Sequence, residues 1–374
     1  MLNGVLLTLM IGPSLPVPAP QPVVEALQSV QVNSARERTG FQLTFTVSKT
    51  SLLQMVLLPA GFFDPIITRV VIIVTMNGMP QVLADGIVTR QEMTPSNEPG
   101  KSTLTITGED LSVLMNIIEF KLPYPAMPDA AQITVILAKY EAFGIKSLVV
   151  PPPVLTVQSP TSAIPTQTGT DLDYIKGIAS QSSYVFYIMP GPIPLTSIAY
   201  FGPDIPIPLP QPALSVNMDW RTNVESLNFS LDGLAKKVTI VTILDPVTKK
   251  IPIPIPVPNV SFLHPPLGLR LTPPAKIQFS DDMANLAPDE AAKRIFGLML
   301  NNADAITGNG SLNTMRYGWI LRIRTLVGVR GAGPAYDGFY YVNSVTHNIK
   351  QGEYTQNFSL SRDGLISQTP VVGP

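Results

Sequence analysis

The sequence predicts a β-rich α+β protein, and three observations carry that prediction. Apolar residues alternate with polar ones at Phe41, Leu43, Phe45 and Val47, and again over residues 102–107, so one face of each segment belongs to a core. Two strand-like runs, 69–75 and 82–89, flank Asn77-Gly78, a dipeptide suited to positive φ, and read as a β-hairpin with a slightly extended loop. Toward the C-terminus, runs 319–329, 339–349 and 354–360 are separated by residues 331–334 and by Gln351-Gly352, the pattern of an antiparallel meander.

Taken in order, the apolar run 5–11 reads as a buried strand leading into the proline-rich stretch 13–22. It does not read as a signal peptide, because no Lys or Arg precedes Arg36. Leu111, Leu114, Met115 and Ile118 have helical spacing behind Glu109 and Asp110, acidic residues that suit a helix N-terminus. Ile133, Ile136, Leu137 and Tyr140 predict a second helix, opened near Asp129 and closed by Gly144. Residues 1–155 thus form a first β-rich domain with two helices, ending at Pro151-Pro152-Pro153. In the connecting region, 156–265, Thr170-Asp171 offers an N-cap to a helix carrying Leu172, Ile175 and Ile178, followed by a strand over 184–188. The last part, 266–374, opens with a helix signalled by Pro288, Asp289 and Glu290 ahead of Ala292, Ile295, Leu298 and Met299. No exact internal repeat is visible.

Prolines number 39 of 374 residues, about twice the usual share, and they form two ladders: Pro206, Pro208, Pro210, Pro212 and Pro252, Pro254, Pro256, Pro258. In an extended chain alternate N–H groups point to one edge, so each ladder deletes donors along one side and caps a sheet edge. The competing reading is a polyproline ligand for a partner groove.

The chain has room for two or three domains. Having no cysteine, it excludes disulfides, thiolate metal sites and cysteine nucleophiles, and fits assembly in a reducing cytoplasm. Charged residues are 14% against roughly 25% for an ordinary soluble domain, and the net charge is −1. So little charge points to surfaces covered by neighbours in a permanent assembly. No apolar run reaches the roughly 18–20 residues of a transmembrane helix.

No catalytic, cofactor-binding or metal-ligating residue is assigned. Only His264 and His347 exist, too few for a multi-histidine site, and both read as structural. The segment Gly328-Val329-Arg330-Gly331-Ala332-Gly333 has the wrong spacing for a dinucleotide loop and reads as a tight strand connection. Asp281-Asp282 and Asp289-Glu290 adjoin a helix start, where capping explains them. Arg322 and Arg324 share one face of the predicted 319–329 strand with Arg330 beyond it, too small a footprint for a specific nucleic-acid site.

The stretch Tyr336-Asp337-Gly338-Phe339-Tyr340-Tyr341-Val342-Asn343-Ser344-Val345-Thr346-His347, continued by Gly352-Glu353-Tyr354-Thr355-Gln356-Asn357-Phe358-Ser359-Leu360-Ser361-Arg362-Asp363-Gly364, resembles the closing hairpin of the baseplate hub family. That family comprises the hubs of contractile phage tails, the late-control-D proteins and the N-terminal part of type VI secretion spikes. Thr170-Asp171-Leu172-Asp173-Tyr174-Ile175, leading to Tyr184-Val185-Phe186-Tyr187, is similar to the family's helix and aromatic strand; residues 41–47, 85–89 and 104–110 resemble its first barrel. The resemblance implies two tail-tube-like antiparallel β-barrels with short accessory helices and a connecting α/β region. It further implies a structural, non-enzymatic role: a homotrimeric adapter in a virion or phage-tail-like injection particle. One face would meet tail tube proteins, the other a separate spike protein, with baseplate wedge proteins as further partners and no cofactor. The chain ends just after the hub motif, so the spike is expected on another polypeptide and no lysozyme insert is present. Competing readings are a tail-associated cell-wall hydrolase, which would show a carboxylate pair in a cleft, and a capsid-like β-sandwich, which would form fivefold or open assemblies.

Overall fold

A computed structural model describes residues 4–369 apart from 14, 99, 153–163, 206, 245–251, 258–264, 281–287 and 301–303. Pro153, Pro206, Pro258, His264 and the Asp281-Asp282 pair lie outside the described residues. The period-two pattern behaves as it should: strand Thr39–Val47 buries Phe41, Leu43, Phe45 and Val47 and turns Gln42 and Thr46 outward. Each such buried side chain contributes about 1.5–3 kcal/mol. The hairpin at Asn77-Gly78 is tighter than expected. Met76 pairs directly with Met79, and Asn77 and Gly78 have φ of 52° and 78°, a two-residue turn whose twist matches its strands.

Among the described residues the principal sheet has 13 strands, mostly antiparallel. It is built from one six-strand module used twice, a repeat that the sequence does not reveal. The first module takes Val5–Gly12, Leu27–Ser34, Thr39–Val47, Arg69–Met76, Met79–Thr94 and Ser102–Asp110, with the short Val17–Pro18 strand beside it. The second takes Ile207–Ser215, Val224–Leu231, Ile306–Asn313, Thr325–Arg330, Gly338–Lys350 and Glu353–Arg362. In both, the spatial order of these strands is second, third, sixth, fifth, fourth, first. Two irregularities coincide as well: Gln28 and Glu225 bulge from the second strands, Thr89 and Asn343 from the fifth. One strand departs, since Val5–Gly12 runs antiparallel to its neighbour and Ile207–Ser215 parallel. Each module curls its fourth and first strands back over the others around its own core, and among the described residues no pairing closes either into a ring.

The modules are joined edge to edge. Strand Gly338–Lys350 pairs with Thr325–Arg330 along its first part and with Leu27–Ser34 from Val345 to Lys350. A connecting layer packs helices Asp129–Ala138 and Asp171–Gln181 on the sheet of Val185–Pro190, Ser197–Gly202 and Ile145–Val149, so its core draws on residues from both sides of position 155. Thr170 caps the second helix as predicted, accepting from the Asp173 N–H at 3.1 Å.

Two predicted elements differ. The helix expected over 111–118 is a six-residue 3₁₀ turn, Leu111–Asn116, because the chain is then drawn into Glu119–Pro123 to pair with Thr166–Thr170. The strand expected over 319–329 begins only at Thr325. Ahead of it, two glutamine side chains act as the neighbouring strand would: Gln356 accepts from Leu321 N–H and donates to its carbonyl, both at 2.9 Å, and Gln211 does the same for Arg322 at 2.8 and 3.0 Å. Arg324 follows at φ 59°, a left-handed backbone that breaks the strand, so Arg322 and Arg324 do not share a strand face.

Candidate assembly face

On seven adjoining strands, from Val224–Leu231 across to Ser102–Asp110, the residues opposite the core are hydroxyls and amides. The second module presents Ser226 and Asn228, Asn309 and Ser311, Asn357 and Ser359, then Ser344, Thr346 and Asn348; the first continues with Gln31 and Asn33, Gln42 and Thr44, Thr105 and Thr107. These residues stand opposite one another and bond across strands. Ser226 and Ser311 hydroxyls meet at 2.9 Å, Gln31 donates to Asn348 at 3.1 Å, and Thr346 donates to Asn33 at 3.3 Å. Over the second module this floor dips into an open polar trough of about 430 Å³. Charges gather at its borders: Arg90 paired with Glu92 on Met79–Thr94, the strand beyond Ser102–Asp110, Arg38 with Glu109 at 3.2 Å, Lys350 opposite Glu353 in the closing hairpin.

The buried polar groups act as struts. Arg69, 2% exposed, grips Asp85 through two 2.7 Å bonds and donates to the Phe143 carbonyl at 2.9 Å, tying the first module to the connecting layer. Asp171 accepts from Lys139, Tyr140 at 2.6 Å and Gln167 at 2.7 Å. Burial pushes the neighbouring Tyr174 phenol up to about 12, so it stays protonated. The Arg324 guanidinium lies 3.4 Å from the Tyr187 ring centroid and donates to the Arg36 carbonyl, binding the second module to both other parts. His347, fully buried, bonds to the Tyr354 hydroxyl at 2.8 Å, and burial drives its pKa down to about 3.

The candidates raised by the sequence scatter. His347 is in the second module's sheet, the 328–333 segment is a strand end and turn, Asp289-Glu290 lies in the first turn of helix Pro288–Leu300, and Arg330 donates to Ser215 at 2.8 Å. Among the described residues no three His, Asp or Glu side chains come together as a metal would require, and no helix is long and apolar enough to cross a membrane. The neutral floor was not predicted. Its signal was present as the Ser, Thr, Asn and Gln alternating with apolar residues in each strand, but only the strand order joins those sets.

No family model matches the chain, and no curated protein does. In fold it is similar to the tail protein from Neisseria meningitidis MC58, with 14% identity, TM-score 0.58 and coverage of 97% of this chain and 98% of that one. It is similar also to the 43 kDa tail protein of prophage MuSo2 from Shewanella oneidensis, at 13% identity and TM-score 0.60, covering 96% of this chain and 99% of that. A chain of the half-lidded Francisella PdpA-VgrG complex matches all of this one (100%) over 60% of its own length, at 10% identity and TM-score 0.60. The fold is therefore one shared with these two tail proteins and with a chain of the PdpA-VgrG complex.

Proposed function

We propose that the chain is the structural hub of a contractile injection machine, a trimer that adapts a sixfold tail tube to a threefold spike carried on another polypeptide. One observation carries this reading: connections shared by both modules lie at one end of the strands, and material found in only one module lies at the other. At the end reached by Val47 and Asn313, both modules have a short helix before their second strand, Gln21–Ala26 and Asp219–Arg221, and another after their third, Leu53–Leu57 and Thr314–Tyr317. At the opposite end the first module turns in four residues, 35–38, where the second inserts 232–305, and the connecting layer departs after Asp110.

Three copies in a ring therefore present six equivalent ends to one side and three to the other. The sixfold end exposes apolar side chains suited to stacking on a tube, among them Val24, Met55, Trp220 and Met315. The seven floor strands and the adjoining Met79–Thr94, which carries the Arg90–Glu92 pair on the same face, would line the bore with eight strands per copy. Twenty-four strands at about 4.8 Å spacing give a wall roughly 115 Å around and about 37 Å across before strand tilt widens it. On this reading the two tube-like barrels are modules completed by their neighbours. The division into 1–155, 156–265 and 266–374 needs two adjustments on this reading: the second module takes Ile207–Ser215 and Val224–Leu231 from the middle part, and 111–149 serve the connecting layer. The particle assembles in the bacterial cytoplasm, and the hub has no catalytic role.

Gold-labelled tags test it. A tag inserted at residues 97–98 should mark the tube side of purified particles and one at 233–234 the spike side, in three copies on the axis. Six copies, a place in the sheath, or clearing of labelled cell walls by the purified chain would overturn the proposal.

A further inference from the structure

We infer that neighbouring copies join by antiparallel pairing of two free strand edges, residues 90–94 of one chain with Val224–Leu231 of the next, in the register of the chain's own internal seam. This rests on the ring reading above and names its contact. Within the chain, the second strand of module one meets the fifth strand of module two, with Val345 opposite Ser34 and Asn348 opposite Gln31. The module correspondence places Val224–Leu231 where Leu27–Ser34 stands and residues 91–94 where 345–348 stand, since the flanking bulges coincide.

Both counterpart edges are open. Among the described residues Val224–Leu231 pairs only with Ile306–Asn313, and residues 90–94 pair only with 103–107. Carrying the internal register over sets Gln91 opposite Leu231, Glu92 opposite Ser230, Met93 opposite Phe229 and Thr94 opposite Asn228. The chemistry fits each position. Met93 and Phe229, both half-buried, meet on the core side where His347 meets Val32, and Leu231, 42% exposed, gains cover. On the floor side the Thr94 hydroxyl meets the Asn228 amide where Asn348 meets Gln31, and the mutually paired Arg90 and Glu92 lie beside it, so the wall crosses from copy to copy without net charge. Pro95 stands where Ile349 does and has no N–H to give, which ends the pairing at Thr94. The seam between copies is therefore shorter than the one within the chain.

The chain has no cysteine, so introduced pairs report cleanly. In particles carrying Glu92→Cys with Ser230→Cys, directly opposed side chains should stand about 5 Å apart, and a short bis-maleimide should link copies into dimers and closed trimers. Glu92→Cys with Ser226→Cys, displaced by about 13 Å along the strand, should not link. Met93→Asp should abolish the ring while leaving the circular dichroism of the chain unchanged. Absence of the in-register link, or a stronger link from the displaced pair, in particles that hold three copies on the axis overturns the seam and leaves the hub standing. An in-register ladder running past three copies keeps the seam and overturns the trimer.

Discussion

His347 shows how a residue that invites a catalytic reading belongs to the core. Burial lowers its pKa from the ordinary 6.5 to about 3. Below about pH 6.5 the unfolded chain takes up a proton that the folded chain refuses. This contribution to stability is complete above pH 6.5 and is lost as the pH falls from there toward 3, about 2 kcal/mol of it by pH 5. Urea unfolding at pH 7.5 and pH 5 should show His347→Gln losing about 2 kcal/mol less than the parent; equal losses would mean that the folded imidazole is protonated. Residue comparisons also explain the hidden repeat. In module one Phe41 fills the space over Gly108, where a Cβ would come within 2.1 Å of its ring, while the corresponding pair in module two is Gly308 and Leu360, with Phe229 supplying the aromatic ring. At the ends of the sixth strands Asp110 caps the Thr39 and Ser112 N–H groups, and its counterpart Arg362 binds three carbonyls at 2.8 Å. Volume and hydrogen bonding are kept while identity, and even the sign of the charge, is exchanged.

At the scale of elements, the prolines are edge devices. Pro252, Pro254 and Pro256 stand opposite Leu244, Thr242 and Ile240, so the donors of Ile253 and Ile255 face the neighbouring strand and the outer edge has none. Strand Pro252–Val257 is an edge of its three-stranded sheet, and Ile207–Ser215 pairs on one side only, among the described residues. Replacing Pro252, Pro254 and Pro256 together by Thr should raise aggregation, read by light scattering, without changing the ring. Specific loss of one partner from a variant that stays soluble would favour the ligand reading instead. Val224–Leu231 and residues 90–94, open edges of the principal sheet with no proline inside them, are the ones assigned to the seam. This contrast is what a closed ring requires of its strands: blunted where pairing is unwanted and open where the next copy adds on.

At the scale of the whole molecule, scarcity of charge acquires a location. The 14% charged content is spread so that the floor is neutral and charges sit at its borders. A wall of this kind holds a charged polymer weakly. Gln42→Lys and Asn309→Lys, at corresponding positions of the two modules and opposite no carboxylate, would set six cations around one level of the bore. Particles carrying both should assemble normally yet deliver an anionic cargo about tenfold less well at low salt, with recovery as salt is raised. Delivery indifferent to the six lysines would show that the neutral floor does not face the cargo.

The sequence by itself determined the alternation of each strand, the Asn77-Gly78 turn, the cap at Thr170, the helix start at Pro288 and the one-sided donors of the proline ladders. These properties depend on neighbours within a few residues, and so they are legible locally. The candidate face was half legible, as hydroxyls and amides in separate strands. The tertiary structure alone decided that those sets adjoin, that residues 319–324 are held by glutamine side chains in place of a strand, and that one module occurs twice. Strand order and register are fixed by backbone hydrogen bonds between segments as far apart as Ser29 and Lys350. Such bonds are indifferent to side-chain identity provided that the volume between the strands is filled.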